Sequence, residues 1–107
     1  MNFKELSQNL ELGEDEFLDL LGLFLKTCSF DLNKLQSAIE EGDVQKVVGV
    51  AHSIKGAAAI LGLTAIFEFA KRIEVDALGN DLHGSTRGVD GIKEELSQIA
   101  EGLKIKG

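Results

Sequence analysis

Apolar residues recur three and four positions apart along most of the chain, and strict alternation is absent, so the pattern predicts helices and no strands. Residues 3–10 read as a short helix, with Phe3, Leu6 and Leu10 on one side. Asn2 is placed to cap it, and Glu5 follows three residues later. A long helix is expected after Gly13, where Glu14, Asp15 and Glu16 suit a positive N-terminal end. Its apolar stripe is Phe17, Leu20, Leu21, Phe24, Cys28, Leu32, Leu35 and Ile39, with a bend expected near Ser29. Gly42 ends it after Glu41.

Asp43 is a good N-cap for a helix over residues 44–61, and Gly62 a good stop. Thr64 is expected to cap a third long helix through Leu78, with Ile66, Ala70, Ile73 and Ala77 inward. Residues 79–84 read as a turn. Ser85 is expected to cap a last helix, whose seam is Val89, Ile92, Leu96, Ile99 and Leu103. The expected fold is all-α: an antiparallel up-down-up-down four-helix bundle, with the short N-terminal helix covering one end. The same stripes would also suit an elongated helical dimer.

Composition narrows the class. At 107 residues, 44% hydrophobic and 27% charged, the chain is expected to be one domain spanning residues 1–107. It has no Pro, which favours unbroken helices. A formal net charge of −7 argues against a nucleic-acid partner and against anionic lipid. No apolar run is long enough for a membrane span, and the first residues lack a signal-peptide pattern. The lone Cys28 cannot form an internal disulfide, so a reducing, cytoplasmic setting is expected.

Candidate chemistry gathers in residues 51–62, from Ala51 to Gly62. On a helix turning about 100° per residue, Val47, Val50, Ile54, Ala57 and Leu61 fall on one side and should face the core. His52 falls roughly opposite and should point to solvent. Gln45, Val48, Gly49, Lys55, Gly56 and Ala59 share its face. Gly49 precedes it by three residues and Gly56 follows by four, the two positions that flank it. Each mid-helix Gly costs about 1 kcal/mol relative to Ala, and what two such costs gain here is clearance for a bulky partner. Lys55, one turn on, supplies a cation that can offset the charge of a phosphate carried on the ring. A neutral imidazole is a competent nucleophile near pH 7.

The string His-x-x-Lys-Gly-x-x-x-x-x-Gly, set by His52, Lys55, Gly56 and Gly62, resembles the signature of the histidine phosphotransfer (HPt) family. Asp43, nine residues before the His, is similar to the family's helix cap, and Ala51 also fits. So do Ile66, Ala70, Ile73 and Glu74 downstream, and the Phe-Leu pattern of residues 17–25. The resemblance is weakest over residues 1–12 and after residue 80.

It implies a phosphoacceptor His52 exposed on the second bundle helix. Phosphate would arrive from a receiver-domain aspartate or a histidine kinase and leave to another receiver. Lys55 would stabilise the phosphoryl group, and Gln45, Val48, Gly49, Gly56 and Ala59 would meet the partner. Glu74 would orient the ring, like an acidic residue at this separation in the phosphotransfer domain of chemotaxis kinases. A carboxylate accepting from one ring N–H would fix the tautomer and free the other nitrogen.

Other signals read as ordinary structure. His83 lies in the expected turn without a partner at catalytic or metal spacing. Cys28 lies on an apolar stripe and should be inert. Glu14-Asp15-Glu16 and Glu94-Glu95 are solvated faces and helix-start charges. Phe17, Phe24, Phe67 and Phe69 are expected in the core, some at the rim of the docking face. No zinc His-Glu-x-x-His, di-iron Glu-x-x-His, P-loop or dinucleotide glycine pattern occurs.

The expectation is therefore a phosphocarrier rather than an enzyme. It should be a monomer with no cofactor, the Mg²⁺ belonging to the partner receiver. A docking module of the same fold that does not transfer phosphate is the alternative. A kinase fragment is a further one, though the opening Met1 favours a free-standing domain.

Overall fold

The computed structural model describes residues 2–106, and the side chains of 2–105. Among these residues the chain forms five helices and no strand: α1 (Phe3–Asn9), α2 (Glu14–Glu41), α3 (Val44–Leu61), α4 (Thr64–Leu78) and α5 (Leu82–Lys106). The four long helices close a ring, α2 packing on α3 and α5, α3 on α4, and α4 on α5. With short connections this is the antiparallel up-down-up-down bundle, and α1 lies against α2. The molecule measures 41 × 22 × 16 Å, its length set by α2 at about 1.5 Å per residue.

The helix ends show why the chain turns where it does. Gly42 and Gly62 sit in the left-handed region, at φ 72° and 74°. At each, the glycine amide and the next amide bond back into the finished helix: Gly42 to Ile39, Asp43 to Ala38, Gly62 to Ala59 and Leu63 to Ala58. Asn80, at φ 62°, does the same after α4, its amide reaching Ala77 and that of Asp81 reaching Asp76. Asp43 caps α3, accepting from the Lys46 amide at 3.1 Å, and Asn2 caps α1, accepting from Glu5 at 3.0 Å.

Two expected caps are corrected. Leu63, not Thr64, holds the N-cap position of α4, because the reversal at Gly62 delivers the chain into helix one residue early. The Thr64 hydroxyl bonds back to the Gly62 carbonyl instead. Ser85 does not start α5, which begins at Leu82. The Asp81 carboxylate accepts from the Gly84 amide at 2.8 Å, and Ser85 is buried one turn in, its hydroxyl on the Asp81 carbonyl. An ionised carboxylate is the stronger acceptor at a positive helix end.

The core matches the expected stripes with a few shifts. Phe17, Leu21, Leu35, Ile54, Ile66, Ile73, Ile92 and Ile99 are essentially fully buried. Leu20 is exposed and Ile39 only half-buried, while Ala38 is buried in the same stretch. On α3 the buried line is Val47, Ala51, Ile54, Ala58 and Leu61; Val50 and Ala57 are half-buried. Small alanines let neighbouring helices approach, so they take the innermost places. Phe67 and Phe69 are half-buried rather than core. At Ser29 the hydroxyl bonds the Leu25 carbonyl within an unbroken α2.

Candidate functional site

Asp43 and Gly62 set the two ends of α3, and its buried line sets its rotation. Together they leave the His52 side chain 68% exposed at mid-helix. Gly49 and Gly56 are exposed beside it, and a Cβ added at either would meet nothing within 4 Å. Neither glycine is needed for helix packing. Gln45 and Ala59 are exposed on the same face, and Val48 is half-buried at its edge.

The packing of α4 on α3 brings Glu74 to this face. Its Oε2 lies 2.9 Å from His52 Nδ1 and its Oε1 2.6 Å from Lys55 Nζ. The Glu74 side chain is 15% exposed and that of Lys55 23%. The Lys55 hydrogen bond, reinforced by that of His52, holds the Glu74 carboxyl below its ordinary value of 4.5, against burial, which works the other way. Glu74 is therefore ionised at neutral pH and can only accept. The proton between them must sit on His52 Nδ1, and in the neutral ring Nε2 then carries the lone pair. Nε2 has no partner among the described residues. Lys55 uses one donor on Glu74 and keeps two more.

The shared carboxylate is the feature that helix-by-helix reading misses. Lys55 does not stand free beside the ring; it is tied to the same group that holds it. Exposed apolar residues were also missed. Ile60 lies two turns beyond His52 and is 72% exposed; Leu23 and Phe30, on the outer surface of α2, are 62% and 63% exposed. Their signal was apolar identity off the buried stripe.

His83 is exposed away from this cluster, and Cys28 is buried in the core. Burial, with Asp31 nearby, pushes the Cys28 thiol up to about 12, so it stays protonated and inert. No group of three His, Cys, Asp or Glu among the described residues could hold a metal ion. No described helix is long and apolar enough to cross a membrane.

Comparison with known proteins agrees with this arrangement. The model of the Hpt domain family matches residues 19–102. The chain is 36% identical over 95 residues to multistep phosphorelay regulator 1 of Schizosaccharomyces pombe, a match covering 85% of this chain and 30% of that protein. The chain thus spans about 30% of the length of this curated relative. The crystal structure of histidine-containing phosphotransfer protein B from Pseudomonas aeruginosa PAO1 superposes with a TM-score of 0.84. That match covers 99% of this chain and 92% of the other at 24% identity, and so shows a common fold. With the family match running over all four long helices and the bundle reproduced end to end, the chain belongs to the histidine phosphotransfer (Hpt) domain family.

Proposed function

We propose that this chain is a phosphocarrier in a phosphorelay, with His52 Nε2 as the acceptor atom. Supporting this is an imidazole that is 68% exposed at mid-helix while its Nδ1 lies 2.9 Å from an ionised carboxylate. The Nε2 lone pair attacks the phosphorus of a receiver's aspartyl phosphate. The N–P bond forms as the P–O bond to the aspartate breaks, and the carboxylate leaves. The ring becomes cationic while its Nδ1 proton stays directed at Glu74, which offsets the new charge. Transfer to a second receiver is the reverse.

Phosphoryl transfer of this kind depends on positioning and charge stabilisation, so a carrier needs little machinery. Lys55, anchored by Glu74, directs its spare donors toward the phosphoryl oxygens. Gly49 and Gly56 clear the approach. The receiver meets Gln45, Val48, Gly56 and Ala59 and extends over Ile60 and the exposed apolar surface of α2. The receiver contributes the Mg²⁺ and its acidic pocket, and this chain needs no cofactor of its own. A histidine kinase is a second source of phosphate. We place the carrier in the cytoplasm as a monomer, its 107 residues acting as one domain.

The test is transfer of label from a phosphorylated receiver. A mark on the protein that is labile in acid, stable in base and lost in His52→Gln supports the assignment. Labelling that survives His52→Gln rejects His52 as the acceptor, and no labelling by any receiver or kinase tried favours a docking module that does not transfer phosphate.

A further inference from the structure

Leu78 ends α4 with its side chain 68% exposed, and Val75, one turn earlier, is 56% exposed. Their place in the bundle follows from the contact at the site. Glu74 Oε2 reaches His52, so the flank of α4 that carries Glu74 borders the His52 face. Leu78 lies four residues after Glu74 and shares that flank. Val48 lies four residues before His52 on α3. Because α3 and α4 run antiparallel, both steps lead the same way, and Leu78 comes beside the half-buried Val48. Each step is about 6 Å along its helix. Val48, Leu78 and Val75 thus form an apolar shelf that starts one turn from the reacting ring.

Packing within the chain does not account for Leu78 and Val75. The buried line of α4 is Ile66, Ala70, Ile73 and Ala77, and both residues lie off it. The reversal after α4 is held by backbone bonds from the Asn80 and Asp81 amides to Ala77 and Asp76. Two neighbouring apolar side chains are therefore left in water beside the residue that carries the chemistry.

We propose that this shelf on α4 belongs to the surface that a receiver domain covers when its aspartate meets His52, and that Leu78 is a positioning residue for that docking. The inference rests on the phosphocarrier reading. Bringing an aspartyl phosphate to Nε2 requires two protein surfaces to meet around the ring. Even a small interface buries about 1,000 Å² in total, roughly 500 Å² a side, which is a disc with a radius of roughly 13 Å. The shelf begins about 6 Å along from the turn that carries His52, well inside that disc. A receiver centred on His52 therefore covers α4 as well as α3. It gains affinity by meeting Leu78 with an apolar side chain. A receiver with a charged or polar group at that place would bury it against leucine without a hydrogen-bond partner, so the shelf also discriminates among receivers. Lys55 and Glu74 act on the phosphoryl group and the ring, whereas Leu78 acts on the partner.

The test is rapid-quench transfer from a phosphorylated receiver that labels the wild type, compared across the wild type, Leu78→Gln and Leu78→Met. The glutamine keeps the size and the helix propensity and adds no charge. Leu78→Gln should lower kcat/KM for the receiver about tenfold, through KM, with the rate at saturating receiver changed by less than about twofold. Leu78→Met restores apolar surface and should transfer like the wild type. Phosphoramidate needs no docking and should label His52 equally in all three, and their helical circular dichroism should coincide. An unchanged KM in Leu78→Gln overturns the proposal and leaves the phosphocarrier reading intact. A parallel loss of phosphoramidate labelling also overturns it, because Leu78 would then serve the ring. So does a loss confined to labelling by a histidine kinase, or self-association of the wild type that Leu78→Gln abolishes while transfer stays the same. Labelling by phosphoramidate with no receiver able to label the wild type rejects the phosphocarrier reading and this inference together.

Discussion

At the scale of single residues, one carboxylate serves two donors. Glu74 accepts from His52 and Lys55, so removing its charge affects both the tautomer of the ring and the anchoring of the cation. Glu74→Gln should slow phosphorylation of His52 by about tenfold or more, as loss of an orienting partner does elsewhere, without abolishing it. Rapid-quench labelling from a phosphorylated receiver measures this. The same group gives a pH dependence. Its carboxyl is lowered in the folded state, so its stabilisation is present above its ordinary value of 4.5 and is lost as pH falls through the lower folded value. Denaturant midpoints taken between pH 6 and 3, a span chosen around the ordinary carboxylate range of about 4, should fall more steeply for wild type than for Glu74→Gln.

Gly56 gives a second contrast at this scale. Open space surrounds its Cβ position, so Gly56→Ala should stabilise the fold by about 1 kcal/mol through helix propensity. A larger Gly56→Leu should still fold and accept phosphate from phosphoramidate, yet lose transfer from a receiver. Equal loss with both donors would mean that Gly56 serves the ring rather than the approach. The motif His-x-x-Lys-Gly was legible in the sequence because its members lie within two turns of one helix. That Glu74 meets the ring was named only through the family resemblance, since register between helices depends on packing and is not written in either helix.

At the scale of elements, glycine has opposite uses in α3 and α5. On α3 it leaves space open, whereas Gly88 permits contact with Ile73. Gly88→Ala should therefore cost about 1–3 kcal/mol by overpacking, the opposite sign to Gly56→Ala. Chemical denaturation of the two variants side by side checks it. Helix boundaries were largely legible because Gly42, Gly62 and Asp43 carry strong local signals. The starts of α4 and α5 were misplaced for local reasons too subtle for cap preference alone. The turn after Gly62 is one residue shorter than expected, and Asp81 outcompetes Ser85 for the first free amides.

At the scale of the whole molecule, charge and shape act together. The formal charge of −7 is spread over a body with a radius of gyration of 14.1 Å. That radius exceeds the Debye length of about 10 Å at 0.1 M salt, so added salt screens much of the self-repulsion. Thermal midpoints should rise by a few degrees, under about 1 kcal/mol, between about 0.01 and 0.15 M sodium chloride. No rise would mean that local pairs such as Lys55–Glu74 outweigh the net charge.

The sequence by itself determined the helices and the exposure of His52. Those follow from periodicity and from caps, which act over a few residues. Tertiary structure decided that Glu74 spans His52 and Lys55, that Ala51 and Ala58 rather than Val50 and Ala57 lie innermost, and that Arg72 and Arg87, far apart in sequence, line one groove. Each of these depends on how far neighbouring helices slide and rotate against each other, which close packing sets and no single helix encodes.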